Sequence, residues 1–185
     1  AAQGPRHRIA SARGLDQSVN PAGIQPVTDQ PATPGVRIPP PLIYLAGLAA
    51  GFALDRWWFA MPIVDASRET WLHLHAFAFG LVAVWLLASS LRSFRQSRND
   101  PRPWREDTAL VEDSLYRHTR NPMYLGMALA YATIALAFNA LWPLLLLVPV
   151  LVVIRWYVIG REERYLAQRF GQPYLDYCTR VRRWF

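Results

Sequence analysis

From Asn121 to Ile154 the chain carries no charged residue, and no other feature of the sequence limits its fold as much. A single helix over that run would be about 50 Å long at about 1.5 Å per residue, against a bilayer core of about 30 Å. One span cannot absorb it. Its middle reads Phe138-Asn139-Ala140-Leu141-Trp142-Pro143, a polar residue followed by a proline suited to a first helical turn. The run therefore predicts a tight helical hairpin with spans at 122–138 and 141–160. Two more charge-free stretches, between Arg37 and Asp55 and between Glu69 and Arg92, predict spans at 42–60 and 71–91, the first closed by interfacial Trp57 and Trp58. The expected fold is all-α: a polytopic membrane protein with about four transmembrane helices, a C-terminal helical hairpin and a cytoplasmic C-terminal helical cap over 161–185.

Charge gives this arrangement a direction. All 20 basic residues are arginines and the formal net charge is +7, which in a soluble chain would suggest nucleic acid. Their positions suggest something else. Four lie in the segment 1–41, seven in 92–120 and six after 160, whereas the 55–70 loop holds only Arg56 and Arg68, and Arg155 falls inside a span. Seventeen against two is a positive-inside pattern, which predicts both termini and the 92–121 loop on the cytoplasmic side and no nucleic-acid partner.

Residues 1–41 contain eight of the 15 prolines among Gly, Ser, Gln and Arg, with no periodic apolar face. They read as a flexible tail preceding one membrane domain, 42–185, and lack the compact apolar core of a signal peptide. A short helix is expected over 161–170, ended by Gly171 and followed by Pro173. No G-x-G-x-x-G fingerprint occurs, so a cofactor would have to be held by helix ends and the cap. Cys178 is alone, reads as a bystander and has no metal-site spacing around it; His73 and His75, two apart in a helix, are poorly placed to share a metal.

The residues able to do chemistry gather at two places. The loop entering the third span contains Tyr116, Arg117, His118, Arg120 and Asn121 before Pro122, Met123, Tyr124 and Gly126. A proline in the first turn leaves backbone N–H groups at the positive end of a helix beside two arginines, a setting for an anion. Singly, Arg117 and Arg120 read equally well as membrane anchors, Tyr124 as an interfacial aromatic, and Gly126 as a packing residue like Gly47 and Gly51. His118 is a candidate proton acceptor. The second place holds Arg155, Glu162 and Glu163. Seven residues are nearly two turns, so Arg155 and Glu162 are expected on one face, with Glu163 about 100° further round. The two acids have two equal readings, salt bridges to Arg120 or Arg161, or ligand contact. Arg155 is either the partner of Glu162 or a functional group.

Together Tyr116-Arg-His-Thr-Arg120-Asn-Pro-Met-Tyr-Leu-Gly126, the apolar hairpin, Glu162-Glu163 and Phe170-Gly-Gln-Pro-Tyr174-Leu-Asp-Tyr177 with Val181 and Arg183-Trp184 resemble the isoprenylcysteine carboxyl methyltransferase and phospholipid methyltransferase family over residues 100–185. The resemblance implies S-adenosylmethionine as cofactor, with contacts at Thr108, Ala109, Leu110, Val111, Tyr116, Asn121, Pro122, Met123, Tyr124 and Glu162. Arg120 suits the cofactor's carboxylate, a glutamate its ammonium or ribose hydroxyls, and the motif takes in Gly126. The chain departs from the family twice. Asn121 stands where a histidine is usual, which removes a proton carrier there, and Val158 stands where prenylcysteine enzymes have a substrate-binding arginine, for which Arg155 or Arg161 would have to substitute.

The expected activity is methyl transfer to an O, N or S atom of a lipid-like or amphiphilic acceptor at the cytoplasmic membrane face. Arg155, Glu163 and His118 are the candidate catalytic groups, membrane lipids the surroundings, and no obligate protein partner is implied. Two other readings compete. Tyr177-Cys178 echoes the C-terminal pattern of NADPH-dependent sterol-type reductases, and a non-catalytic membrane scaffold or lipid-binding protein would use the same anchors.

Overall fold

The computed structural model describes residues 33–96, 110 and 114–184, and within them every regular element is helical. Helix α1 (Pro40–Trp57) opens with prolines in its first turn, where a fixed φ helps and the missing N–H has no partner to lose. After a short 3-10 turn at Ala66–Arg68 comes α2 (Glu69–Gln96), which runs five residues beyond the expected end at 91. A second 3-10 turn at Ser114–Arg117 leads into α3 (Pro122–Ala137).

The hairpin break falls where the sequence places it. Asn139 adopts φ 50°, a left-handed conformation that Asn tolerates better than most residues. Its side chain also ties the far loop together: Oδ1 accepts from the backbone N–H groups of Ile63 and Val64 at 2.8 and 3.0 Å, and Nδ2 donates to the Val64 carbonyl and Glu69 Oε1. The apolar run resumes as α4 (Leu141–Val153), passes through a π-helical turn at Ile154–Ile159, and continues as α5 (Gly160–Phe170). The boundary expected at 160 is therefore no helix end. Gly160 alone does not stop a helix, and the 30-residue rod from Leu141 to Phe170 carries the last span straight into the cap. Gly171, at φ 58°, makes the turn, and α6 (Gln172–Arg180) closes the cap.

Pairing follows the small residues. Helix α2 lies along α3, and α1 along α4. A Cβ on Gly126 would meet Leu87 Cγ at 2.9 Å, and Cβ atoms on Gly51 and Gly47 would run into the Pro143 backbone and the Val150 side chain. These glycines are where helices touch, so Gly126 acts in packing here, as its spacing allowed. Tyr44, Tyr124, Ala128, Tyr131, Val150, Ile154, Val158 and Ile159 form the main core, joined by Val36 from the strand of chain before α1. That strap is pinned by Tyr157 Oη, which accepts from the N–H groups of Arg37 and Ile38, and by Arg161, which donates to the Gly35 carbonyl while stacking on Tyr157 at 4.6 Å.

Outward faces are apolar. Phe77, Leu81, Val84 and Trp85 on α2 are each more than half exposed, as is Val148 on α4. Such a surface belongs in hydrocarbon rather than water. Among the described residues two helical segments, Ala66–Gln96 and Leu141–Phe170, are long and apolar enough to cross a bilayer. Helix α3 is apolar but shorter, and Trp58, Phe59 and Trp142 cluster at the end of the bundle away from the cap, next to exposed Trp57.

Candidate functional site

At the other end, the cap folds back on the loop that enters α3. Thr119 Oγ1 and Asn121 Nδ2 both donate to the Arg183 carbonyl, at 3.2 and 3.0 Å, and the Arg120 N–H donates to the Arg182 carbonyl. Tyr177 Oη reaches the Tyr116 carbonyl at 2.7 Å. The chain's last residues thus form a seam with 116–121, and the two acids of α5 sit against that seam.

Adjacent in sequence, the acids face different partners. Glu162 Oε1 accepts a short 2.5 Å hydrogen bond from Tyr124 Oη, one turn into α3, and Tyr44 Oη of α1 donates to the Tyr124 carbonyl at 3.0 Å. Glu163 receives both arms of Arg183, Nε at 2.8 Å and Nη2 at 2.5 Å, and Arg120 Nη2 approaches it at 3.5 Å. The Glu163 carboxylate holds the Arg183 guanidinium protonated to higher pH than usual. Arg120 also donates from Nη1 to Cys178 Sγ, and its buried Nε has no hydrogen-bond partner among the described residues. Tyr174, buried beside Cys178, has its phenol pushed well above the usual range, first by burial and then by hydrogen bonding to that thiol.

Several expectations change in detail. Of the two acids, Glu163 is salt-bridged to Arg120, as one reading had it, and more closely to Arg183. Arg155 and Glu162 do not pair. A π turn inserts a residue between them relative to an α-helix and rotates one against the other by about 100°. Arg155 instead lies 5.5 Å from the Trp156 ring and borders a cavity. Cys178 is no bystander, since it contacts Arg120 inside the cluster. Asn121, 7% exposed, spends its side-chain amide on the tail carbonyl.

Tyr116 is buried edge-on against Phe94, Pro122 is fully buried beneath the loop, and Met123 is half-buried beside Tyr124. Leu110 packs on the Tyr174–Tyr177–Val181 cluster of the cap. His118 is exposed on the turn, and Thr108, Ala109 and Val111 lie outside the described residues. Val158 is fully buried in the core, so its position offers nothing to a substrate. Tyr44 was not singled out by sequence reasoning, and Thr119 and Arg183 entered only as members of the resemblance motif, with no partner assigned. Their contacts span 80, 64 and 20 positions, and no local pattern signals such partners.

The fold and site together are those of an apolar helical bundle with a cluster of paired charges at one end. The profile of the phospholipid methyltransferase family matches residues 69–173, from the start of α2 to the start of α6, and the chain belongs to that family of integral-membrane methyltransferases, akin to the isoprenylcysteine carboxyl methyltransferases. No curated protein and no solved structure matches the chain significantly.

Proposed function

We propose that the chain is an S-adenosylmethionine-dependent enzyme that methylates an O, N or S atom of a lipid-like acceptor at the cytoplasmic face, with four helices, α1, α2, α3 and the α4–α5 rod, crossing the membrane. The observation that carries this reading is the Tyr124–Glu162 hydrogen bond. It brings the two halves of the motif, 38 residues apart, to one point at the end of the hairpin. The residues fit the cofactor. Glu162 and Tyr124 offer an acceptor and a hydroxyl for an ammonium or ribose, and the buried Nε of Arg120, unpartnered among the described residues, offers a donor for a carboxylate. Tyr116 and Met123 add apolar walls, with Leu110 behind the cap.

When bound, the cofactor supplies an already activated methyl group on a sulfonium, so the protein's task is orientation more than proton transfer. Glu163, held by Arg183 and Arg120, fixes the α5 backbone that presents Glu162. Exposed His118 or water remains to take a proton from an amine or thiol acceptor. The arginine distribution supports cytoplasmic termini.

Titration of the detergent-purified protein with S-adenosylhomocysteine and, separately, with NADPH tests the reading. Binding of the first alone supports it, binding of NADPH alone points to a reductase, and binding of neither leaves a scaffold.

A further inference from the structure

The Tyr124–Glu162 hydrogen bond joins α3 to α5, and on both sides of it the backbone is tied to a part of the chain that precedes the family-matched residues 69–173. On the α3 side, Tyr44 of α1 donates to the Tyr124 carbonyl at 3.0 Å. Tyr44 is buried on the face that α1 turns to the bundle, at helical spacing from Gly47 and Gly51, and Tyr131, two turns beyond Tyr124 on α3, meets its ring edge-on at 6.4 Å. Packing alone would be served by a phenylalanine there. The carbonyl gains a donor that helix closure does not require, because in an α-helix the N–H four residues on already reaches it. What the extra bond fixes is the peptide from which the Tyr124 phenol projects toward Glu162.

On the α5 side the strap before α1 does the holding. Gly35, at φ 68°, turns the chain so that Val36 enters the core containing Tyr44 and Tyr124, while the Gly35 carbonyl accepts from Arg161 at 2.8 Å. Tyr157 Oη accepts from the N–H groups of Arg37 and Ile38 at 3.2 and 3.3 Å. Tyr157 belongs to the π turn and Arg161 immediately precedes Glu162, so the strap grips the rod where the phase of Glu162 is set. We propose that α1 and its strap are the positioning element of the site: Tyr44 is a positioning residue that keeps the Tyr124 hydroxyl on Glu162, and the contact of Tyr157 with the strap keeps Glu162 at the matching phase. Both act through the pair rather than by contact with a ligand. The consequence for the cofactor rests on the methyltransferase reading; the geometry of the pair does not. A displacement of about 1 Å in an orienting group costs up to about a hundredfold in function, so a bond to the backbone beneath such a group has leverage that a core hydrogen bond elsewhere lacks.

The same core supplies the control. Tyr131 Oη donates to the Pro143 carbonyl at 2.8 Å, a buried phenol-to-backbone bond of the same kind that leads away from the site. The full chain in phosphatidylcholine nanodiscs carries a ring-fluorinated tyrosine at position 124, whose fluorine NMR signal reads the surroundings of its phenol, and Glu162→Gln gives the signal of a broken pair. Tyr44→Phe should move the signal toward that of Glu162→Gln and raise the S-adenosylhomocysteine dissociation constant about three- to tenfold. Tyr157→Phe, which removes the acceptor for the strap, should act in the same direction. Tyr131→Phe should lower the melting temperature about as much as Tyr44→Phe, yet leave signal and affinity at their wild-type values. A signal unmoved by Tyr44→Phe, equal effects of Tyr44→Phe and Tyr131→Phe, or a moved signal with wild-type affinity would overturn the proposal, and a signal unmoved by Tyr157→Phe would remove the strap from it. Should Tyr44→Phe not fold, Tyr157→Phe beside Tyr131→Phe decides by the same criteria. A wild-type protein that binds no S-adenosylhomocysteine refutes the methyltransferase reading, while the fluorine signals still decide whether Tyr44 holds the pair.

Discussion

Replacing Glu162 by Gln removes the charge from the acceptor of the 2.5 Å hydrogen bond that Tyr124 donates across the end of the hairpin. A hydrogen bond to a charged group contributes about 1.5 to 3 kcal/mol, and a ligand cation or hydroxyl that shares the carboxylate loses an interaction of the same kind. Glu162→Gln should therefore weaken S-adenosylhomocysteine binding by roughly tenfold or more. Glu163→Gln is the control, because the two acids are neighbours with different partners. It leaves Arg183 and Arg120 facing a neutral amide, and side-chain exposures of 33% and 15% place that cost between a surface pair and a buried one, about 1 to 3 kcal/mol. Its signature is a melting temperature lowered by several degrees with a smaller change in cofactor affinity. Isothermal titration calorimetry beside thermal melts on both variants separates the two effects. Equal affinity in wild type and Glu162→Gln, or a greater affinity loss in Glu163→Gln, would refute the assignment of Glu162 to the cofactor.

The remaining predictions concern packing, pH and topology. Gly51→Ala should destabilise the protein by about 1 to 3 kcal/mol in thermal melts, because its Cβ meets the backbone of Pro143 rather than a side chain that can move. Tyr174 has a folded-state pKa raised above its unfolded value, so its stabilising contribution is complete below about pH 10 and is lost as pH rises toward the folded value. Melts from pH 9 to 11 should show Tyr174→Phe flattening the alkaline decline by up to about 1.4 kcal/mol per pH unit, and an unchanged slope would contradict the buried placement. In a Cys178→Ser background, a cysteine replacing exposed Arg117 should react with an impermeant maleimide only from the cytoplasmic side, and one replacing exposed Trp57 only from the other. The reverse pattern would invalidate the proposed topology.

Much of the scaffold was legible in the sequence because it follows from local rules. A charge-free run too long for one span forces a turn, and Asn139 is the residue there that accepts a left-handed conformation, so the hairpin tip could be placed to the residue. Gly171 ended the cap helix for a similar reason and Pro122 opened α3, whereas α1 starts at Pro40, inside the segment read as a tail. The same reasoning brought Tyr124 and Glu162 into one site only through a motif. Nothing in their spacing states that a hydroxyl and a carboxylate 38 residues apart will touch.

What tertiary structure alone decided is the division of labour among the charges. Helical periodicity at 100° per residue put Arg155 and Glu162 on one face, and it failed because six residues at 154–159 wind as a π turn, a departure that no composition rule marks. That added residue turns Arg155 away from Glu162 and leaves Glu162 to Tyr124. The seam of Thr119, Asn121 and Glu163 with the tail likewise depends on where α6 ends and on the path the chain takes back to α3. Sequence determined most of the helices and the break at the hairpin tip, since these depend on neighbours in the chain. Which acid meets which arginine depends on the phase and docking of whole helices, and that is set only when they pack.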